Sequence, residues 1–219
     1  MTVVAIDGPA GAGKSTVARA VAEALGFVYL DTGALYRAVA LAALRRGVSS
    51  DDGESVAGLV AELNLDAQEG RVVLDGEDVT TRIRWPDVTA VVSTIAAHEE
   101  VRAALIDYQR EVGARGDVVM EGRDIGAMVI PNAEVKIWLT ASLEERARRR
   151  ARERGEVDPS RLGATMAELS ARDEADRRRA ASPLSKPADA TTVDSTGTPV
   201  EEVVKMILRI VRRRLDERP

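Results

Sequence analysis

The 219-residue sequence has no cysteine and a single histidine, His98. The absence of cysteine excludes disulfides, thiolate zinc sites, iron–sulfur clusters and cysteine nucleophiles. A single histidine also excludes metal sites that need several imidazole ligands. Any chemistry of this chain therefore has to use carboxylates, hydroxyls, amides and cationic side chains.

Aromatic residues are also scarce, at six in the whole chain, and the formal net charge is −5. Stacking platforms for single-stranded nucleic acid use aromatic rings, and duplex-binding proteins usually carry a basic face. No apolar run approaches the length of a membrane-spanning helix, and the start, MTVVAID, has no basic region before a long apolar stretch. We therefore expect a cytoplasmic, monomeric protein that binds neither nucleic acid nor membranes.

Short apolar runs alternate with helical patterns along most of the chain. Residues 3–6 form a continuous apolar run, which is typical of a strand buried on both faces, and a helical pattern that ends at Gly26 follows. Further strands are predicted at 27–30, 118–120, 135–139 and 191–194, with helices after Thr32, Pro86, Val101, Ser142, Asp158 and Thr198. This order predicts an α/β fold on a parallel sheet.

Three segments carry signals for the start of a helix. Ser142 to Glu145 and Thr198 to Glu201 have the spacing of a capping box, and Asp158 precedes a proline suited to the first helical position. Six arginines lie between residues 146 and 154. Because one helix cannot aim six side chains at one ligand, we expect one or two to bind nucleotide, Arg149 or Arg150, and assign Arg149.

The strongest motif is G-P-A-G-A-G-K-S, which fits the pattern G-x-x-x-x-G-K-[ST] between a buried strand and a helix. Its glycines let backbone N–H groups turn toward phosphate oxygens, and the helix N-terminus adds positive potential. Lys14 would reach the β- and γ-phosphates, and Ser15 would ligate Mg²⁺. The motif predicts a site for ATP and Mg²⁺ that comprises Gly8, Pro9, Ala10, Gly11, Ala12, Gly13, Lys14, Ser15 and Thr16.

A phosphate-binding loop serves GTPases, ATPases and small-molecule kinases alike, so it does not identify the acceptor. The chain has no Asn-Lys-x-Asp segment for reading guanine, and the strand at 118–120 is followed by Glu121 rather than the usual Asp of mechanical ATPases. Both observations favour a small-molecule kinase. Three alternatives stay open: a kinase for an alcohol, of the shikimate type, with Asp31 as base, a kinase for UMP, and a nucleotide-binding switch without turnover.

Six segments, in this order and spacing, resemble bacterial cytidylate kinases: IDGPAGAGKST, LDTGALYRAVA, EGRDIG, PNAEVKIWL, RDEADRRRAASPL and ADATTVDST. The resemblance covers nearly the whole chain. It implies a three-layer α/β/α P-loop kinase fold with a five-stranded parallel sheet, in a single kinase domain over residues 1–219. It also implies a monophosphate-binding insert at 38–84, within which residues 51–84 show the pattern of a small antiparallel excursion, and a lid at 146–158.

The same resemblance implies phosphorylation of CMP and dCMP by ATP with Mg²⁺, in pyrimidine nucleotide metabolism. Thr32 and Arg37 would meet the acceptor's α-phosphate together with Arg123 and Arg179, because planar guanidinium groups suit phosphate oxygens. Arg179 is chosen among three successive arginines by its spacing to Pro183-Leu184. The implied catalytic set is Lys14, Arg37, Arg123 and Arg179.

The resemblance assigns the nucleoside to a second group of residues. Ser93, Arg102 and Asp124 would read the cytosine edge, and Arg172 and Asp176 would hold the sugar hydroxyls. An ionised Asp124 can only accept hydrogen bonds, so it favours the 4-amino group of cytosine over the 4-oxo group of uracil. Arg172 and Asp176 are four residues apart on a predicted helix, so both can face one ligand.

Overall fold

A computed structural model describes residues 1–67, 69–155, 158–179 and 181–217. Its strands are β1 (Val3–Asp7), β2 (Val28–Asp31), β3 (Leu65–Asp66), β4 (Val73–Leu74), β5 (Glu77–Asp78), β6 (Val118–Gly122), β7 (Val135–Thr140) and β8 (Thr191–Asp194). Within the described residues, a five-stranded parallel sheet has the order β2-β6-β1-β7-β8. The predicted parallel sheet is confirmed.

The helices are α1 (Lys14–Leu25), α2 (Thr32–Arg46), α3 (Gly53–Glu62), α4 (Pro86–Ile95), α5 (Glu99–Ala114), α6 (Leu143–Glu153), α7 (Leu162–Arg178) and α8 (Val200–Asp216). A π-helical turn covers Ile125–Val129, and 3₁₀ turns cover Arg82–Arg84 and Pro159–Arg161. Across the described ranges, no helix combines the length and apolar composition that crossing a bilayer requires.

Alternate side chains of β1 and β6 enter two separate cores. On β1, Val3 and Ala5 pack with apolar residues of α2, α4 and α5, whereas Val4 and Ile6 pack with α1 and α8. All four are buried, which explains why the strand reads as a continuous apolar run rather than an alternating one. The result is the expected three-layer arrangement of helices, sheet and helices.

The register of the sheet positions the functional site. Asp7, the last residue of β1, lies beside Gly122 of β6 and Trp138 of β7. The glycine-rich loop that follows β1 and the Arg123-Asp124 segment that follows β6 therefore leave the same edge of the sheet. Ligands of open α/β sheets bind outside this carboxyl edge.

The predicted excursion between residues 51 and 84 contains α3 and a separate antiparallel sheet of β3, β4 and β5. Asp75 and Gly76, with φ of 51° and 84°, form the two-residue turn between β4 and β5. Residue 38 lies inside α2, which continues unbroken from the sheet to Arg46. The boundaries 38–84 for a monophosphate-binding insert stay a prediction.

The helix-start signals had three outcomes. Ser142 caps α6 as predicted, since its side chain accepts a hydrogen bond from the Glu145 amide at 3.2 Å. The predicted capping box at Thr198 is wrong: the N-cap of α8 is Pro199, and the Thr198 hydroxyl donates to the Thr196 carbonyl at 3.3 Å. Asp158 caps the 3₁₀ turn that precedes α7, and residues 156–157 of the predicted lid lie outside the described residues.

Candidate active site

The glycine-rich loop passes very close to the neighbouring strands. A Cβ on Gly8 would lie 1.9 Å from the Leu139 carbonyl oxygen of β7, so a larger residue cannot replace this glycine without moving the backbone. Gly13, with φ of 88°, occupies the N-cap of α1. The loop therefore bends sharply into the helix, as the motif predicts, and brings the backbone to the sheet edge.

Lys14 is buried at the start of α1, and its ammonium group donates a hydrogen bond to the Pro9 carbonyl at 3.0 Å. Burial and the nearby Arg123 lower the pKa of Lys14 to about 7. Both effects disfavour a charged ammonium group. A phosphate anion placed next to Lys14 would oppose both effects, because it favours the charged form. The site is thus one in which Lys14 gains from an anionic ligand.

Ser15 lies beside a buried carboxylate, Glu121, at the end of β6. Burial and Asp31 raise the pKa of Glu121, while Lys14 and a hydrogen bond with Ser15 oppose that rise. The Tyr29 hydroxyl also donates to Glu121 at 2.7 Å. The described residues contain no cluster of three potential metal-ligating side chains. A hydroxyl and a carboxylate are oxygen ligands that suit Mg²⁺ held mainly by substrate phosphates.

Arg123 joins the loop to the acceptor side of the cleft. Its Nη1 donates to the Gly8 carbonyl at 3.2 Å, and its Nε donates to the Asp176 carboxylate at 3.0 Å. A single guanidinium group therefore contacts the first residue of the phosphate-binding motif and an acidic residue of α7. This places two predicted groups of residues, for donor and for acceptor, in one cleft.

Arg37 lies on α2 and donates to the Thr89 hydroxyl at 2.9 Å and to the Ile83 carbonyl at 3.3 Å. Burial, followed by the positive charge of Arg172, lowers the pKa of Arg37 to about 10. Burial, followed by Arg123, lowers the pKa of Arg172 to about 10 as well. These arginines repel one another, so this part of the cleft carries excess positive charge suited to phosphate.

Arg179 and Asp176 lie at the end of α7. Arg179 Nη1 donates to the Ala96 carbonyl at 3.2 Å, and its Nη2 lies 3.1 Å from the Asp176 carboxylate. Arg179 Nη2 and the Asp176 carboxylate therefore form an ion pair, but no hydrogen bond joins these two atoms. Across the described residues, the buried side-chain atoms without a hydrogen-bond partner are Arg102 Nε, Arg172 Nε and Arg179 Nη2.

Two of the three predicted base-reading residues, Arg102 and Asp124, form a buried ion pair. Arg102 Nη2 donates to the Asp124 carboxylate, and Arg102 Nη1 donates to the Ala96 carbonyl at 3.2 Å. The Arg102 guanidinium also lies 5.3 Å from the centre of the Tyr36 ring. Ser93 is half-buried on the last turn of α4, just before Ala96. Sequence reasoning missed Tyr36, which stands next to Arg37 in the DTGALYR segment.

Thr32 and Arg149 lie at two other borders of the cleft. The Thr32 hydroxyl is buried and donates to the Glu121 carbonyl at 2.7 Å. Arg149 donates through Nη1 to the Ala12 carbonyl at 3.1 Å and through Nη2 to the Ser195 carbonyl at 2.6 Å. Arg149 therefore lies against the phosphate-binding loop and connects it to the segment after β8.

Asp7 is a second residue that sequence reasoning missed. Its two carboxylate oxygens accept hydrogen bonds from the amides of Ile125 and Gly126, at 2.9 and 2.8 Å. Burial raises the pKa of Asp7 to about 6. Because those amides directly follow Asp124, Asp7 fixes the segment predicted to read the base to β1. The available signal was an acidic residue at the end of an entirely apolar strand.

The predicted sugar-binding residues, Arg172 and Asp176, lie near each other on α7 without a hydrogen bond between them. The Asp176 carboxylate is engaged by Arg123 and Arg179 instead. Arg172 is nevertheless close enough to Asp176 to be influenced by its charge. The structure thus brings the predicted phosphate, base and sugar residues into one region, while their individual roles stay predictions.

Comparison with known proteins identifies the family. Residues 4–213 match the family described as "Cytidylate kinase". Over 214 residues the chain is 53% identical to "Cytidylate kinase" of Pelotomaculum thermopropionicum (94% of this chain, 93% of that protein). Over 217 residues it is 49% identical to "Cytidylate kinase" of Symbiobacterium thermophilum (96% of each).

Among solved structures, a gluconokinase from Sinorhizobium meliloti 1021 is similar, with a TM-score of 0.50 and 18% identity, over 97% of this chain and 92% of that chain. This likeness concerns the fold alone and agrees with the predicted P-loop kinase architecture. Sequence, fold and cleft lead to the same assignment: the chain belongs to the cytidylate kinase family.

Proposed function

We propose that this protein transfers the γ-phosphoryl group of ATP to CMP or dCMP, which yields ADP and CDP or dCDP. One observation carries the proposal within the family: Arg123 contacts both the Gly8 carbonyl, at 3.2 Å, and Asp176, at 3.0 Å. The phosphate-binding loop and the arginine-rich acceptor side therefore share one cleft, which in-line transfer between two phosphates requires.

The donor would be held by the phosphate-binding loop. Residues 8–16 would surround the triphosphate and donate to it through backbone N–H groups other than those of Pro9, which has none, and Ala10, whose N–H donates to Asp173. Lys14 would contact the outer phosphates, and Arg149 would support the loop from α6. The residues that would hold Mg²⁺ are Ser15 and, beside it, Glu121. When bound, Mg²⁺ neutralises charge on the outer phosphates of the donor.

The acceptor phosphate would lie among Thr32, Arg37, Arg123 and Arg179. A nucleoside monophosphate already carries an ionised phosphate oxygen at neutral pH, so its attack needs no general base. Catalysis then consists of alignment and neutralisation of charge, for which buried cationic groups are suited. The excess of positive charge around Arg37 supports this assignment.

Asp124 and Arg102 would select cytosine, with Ser93 beside them, and Arg172 and Asp176 would hold the sugar. The buried Arg102–Asp124 pair keeps the carboxylate oriented as an acceptor for the cytosine amino group. Asp31, the candidate base of the alcohol-kinase alternative, has another function: its oxygens accept hydrogen bonds from the Ala34 amide at 3.0 Å and from Arg84 at 3.2 Å.

The wider setting is also part of the proposal. Residues 146–158 would act as a lid that closes on both nucleotides, and the protein would work as a monomer in pyrimidine nucleotide metabolism. Because ATP and CMP are metabolites of the cytoplasm, the protein would function there.

A coupled assay of ADP release tests the proposal, with CMP, dCMP, UMP and AMP offered separately under identical ATP and Mg²⁺. We expect rapid turnover with CMP and dCMP and at least about tenfold lower kcat/KM with UMP, because discrimination would rest on one hydrogen-bonding edge. Equal turnover of UMP, or turnover of an alcohol such as shikimate without turnover of CMP, would overturn it.

A further inference from the structure

A buried ion pair outside the phosphate-binding motif joins α6, most of which belongs to the predicted lid, to α7, which follows the lid. Arg146 of α6 and Asp173 of α7 are 8% and 1% exposed, and Arg146 Nη1 lies 2.6 Å from the Asp173 carboxylate. Arg146 Nε also donates to the Ala141 carbonyl at 3.2 Å. Arg148 and Arg150 have their ion-pair partners on α6 itself, whereas Arg146 reaches across to α7.

Both members of this pair also bind the backbone of Ala10 in the phosphate-binding loop. The Ala10 amide donates to Asp173 Oδ1 at 3.0 Å, and the Ala10 carbonyl accepts from Arg146 Nη1 at 2.9 Å. The Ala10 side chain packs with Ala147 of α6 and Leu169 of α7 in a small apolar cluster. The ion pair thus fixes the peptide groups on both sides of Ala10.

One of these peptide groups also contacts Lys14. The carbonyl of the Pro9–Ala10 peptide accepts the hydrogen bond from Lys14 Nζ at 3.0 Å, while its N–H is held by Asp173. The carbonyl and the N–H of a trans peptide point in opposite directions within one rigid plane. Fixing the N–H on Asp173 therefore fixes the direction of the carbonyl that receives the Lys14 ammonium group.

We propose that Arg146 and Asp173 are positioning residues for phosphoryl transfer, acting on Lys14 through the backbone of residues 9–11. They also connect the predicted lid to the phosphate-binding loop, since Arg146 is the first residue of the lid and Asp173 belongs to the helix that follows it. This inference rests on the proposed ATP-dependent activity. It separates Arg146 from the neighbouring arginines, whose partners include side chains on the same helix.

Asp173→Asn is the first test, because it retains the shape of the side chain. The amide oxygen can still accept from Ala10, but the amide NH₂ would face the Arg146 donor, so the arrangement around Ala10 is disturbed. We expect kcat/KM for ATP to fall by about tenfold to hundredfold, as for loss of a charge-assisted buried hydrogen bond, with KM for CMP within about twofold of wild type. Arg146→Met should act in the same direction.

The double variant Arg146→Met/Asp173→Asn distinguishes positioning from simple stabilisation. It leaves no unpaired buried charge, so its thermal midpoint should exceed that of Arg146→Met. If the pair positions Lys14, kcat/KM for ATP stays low in the double variant despite the regained stability. Recovery of both stability and kcat/KM, or equal losses toward ATP and CMP, would overturn the inference. If a single variant fails to fold, the double variant carries the test.

The matched control is Arg115→Met/Glu111→Gln, which removes an exposed arginine–glutamate ion pair at the end of α5, outside the predicted lid. It should leave both kinetic constants within about twofold of wild type, since exposed pairs contribute little. ATP affinity, measured by calorimetry on every variant, separates this inference from the proposed function. Wild type that binds ATP but does not phosphorylate CMP would overturn the function alone, whereas unchanged ATP affinity and kinetics in Asp173→Asn would overturn this inference alone.

Discussion

The two sides of the cleft differ in how their polar groups are satisfied. On the donor side, Lys14, Arg146, Arg149 and Asp173 all make hydrogen bonds to the backbone of residues 9–12. On the acceptor side, Arg102 and Arg172 each have a buried Nε–H group without a hydrogen-bond partner in the described chain, and Arg179 Nη2 is held only by its ion pair with Asp176. On the ATP side, the protein itself thus supplies the hydrogen-bond partners of these side chains. On the monophosphate side, arginine N–H groups remain that can donate hydrogen bonds to a ligand.

This difference has an energetic consequence. An unsatisfied buried donor costs about 1–3 kcal/mol, so the acceptor side is destabilised until an anion or a hydrogen-bond acceptor binds. Changes on the donor side should therefore affect ATP, and changes on the acceptor side should affect the monophosphate. Each prediction below tests this division, in order of decreasing effect.

Lys14→Met should produce the largest loss, because it removes the cation that the donor side positions at the outer phosphates. We expect kcat to fall by about a thousandfold or more, as for loss of a preorganised charge in a transition state. Steady-state kinetics at saturating CMP measure the effect. Lys205→Met, on the exposed face of α8, is the control and should leave kcat unchanged. A loss under tenfold would contradict the assigned role.

Arg37→Ala should lower kcat/KM for CMP by about a hundredfold, because it removes a half-buried cation from the proposed site of the acceptor phosphate. ATP affinity measured by calorimetry should remain within about twofold of wild type. The matched control is Arg45→Ala, on the same helix but paired with Glu77 at the surface. Equal losses toward ATP and CMP would remove the distinction between the two sides.

Asp124→Asn should weaken the choice of base rather than abolish transfer. An asparagine offers both a donor and an acceptor, so uracil becomes acceptable and the ratio of kcat/KM for CMP over UMP should fall by about tenfold to hundredfold. Competition assays with both monophosphates measure this ratio. Asp107→Asn, exposed on α5, serves as the control. An unchanged ratio would show that another residue reads the base.

Asp7→Asn should change the pH dependence of stability at the boundary between the two sides. Since burial raises the pKa of Asp7 from 3.8 to about 6, the folded protein binds more protons than the unfolded chain between these values. Asp7 therefore stabilises the fold more as pH falls through this window and less as pH rises. Relative to the variant, wild type should gain about 2 kcal/mol between pH 7 and pH 4.5.

Urea unfolding of both proteins at several pH values measures that difference. Wild type and Asp7→Asn with parallel pH profiles would contradict the raised pKa. A difference of opposite sign would indicate that Asp7 is stabilised as an anion by the Ile125 and Gly126 amides more than it is destabilised by burial.

The sequence predicts features that depend on near neighbours. The phosphate-binding loop and the cap at Ser142 follow from residue types a few positions apart, and both lie where expected. The capping box at Thr198 fails because α8 has Pro199, one residue further on, at its N-cap. A local motif therefore marks the start of a helix but not always the capping residue.

Contacts between distant segments were not predictable. Asp173 is 163 residues from Ala10, and Asp7 is 119 residues from Gly126. Their partners are backbone amides, which every residue other than proline has, so no residue pattern marks the pairing. The resemblance to a family supplied the acceptor residues as a set. Asp176 is paired with Arg123 and with Arg179, and these contacts depend on how α7 packs across the sheet edge.

The central claim is that a triphosphate site and a monophosphate site face each other across one cleft. A crystal structure with CMP and a nonhydrolysable ATP analogue tests it most directly. The account predicts the CMP phosphate among Arg37, Arg123 and Arg179, in line with the terminal phosphate of the analogue next to Lys14. A CMP molecule bound with its phosphate away from the Lys14 loop would contradict the account.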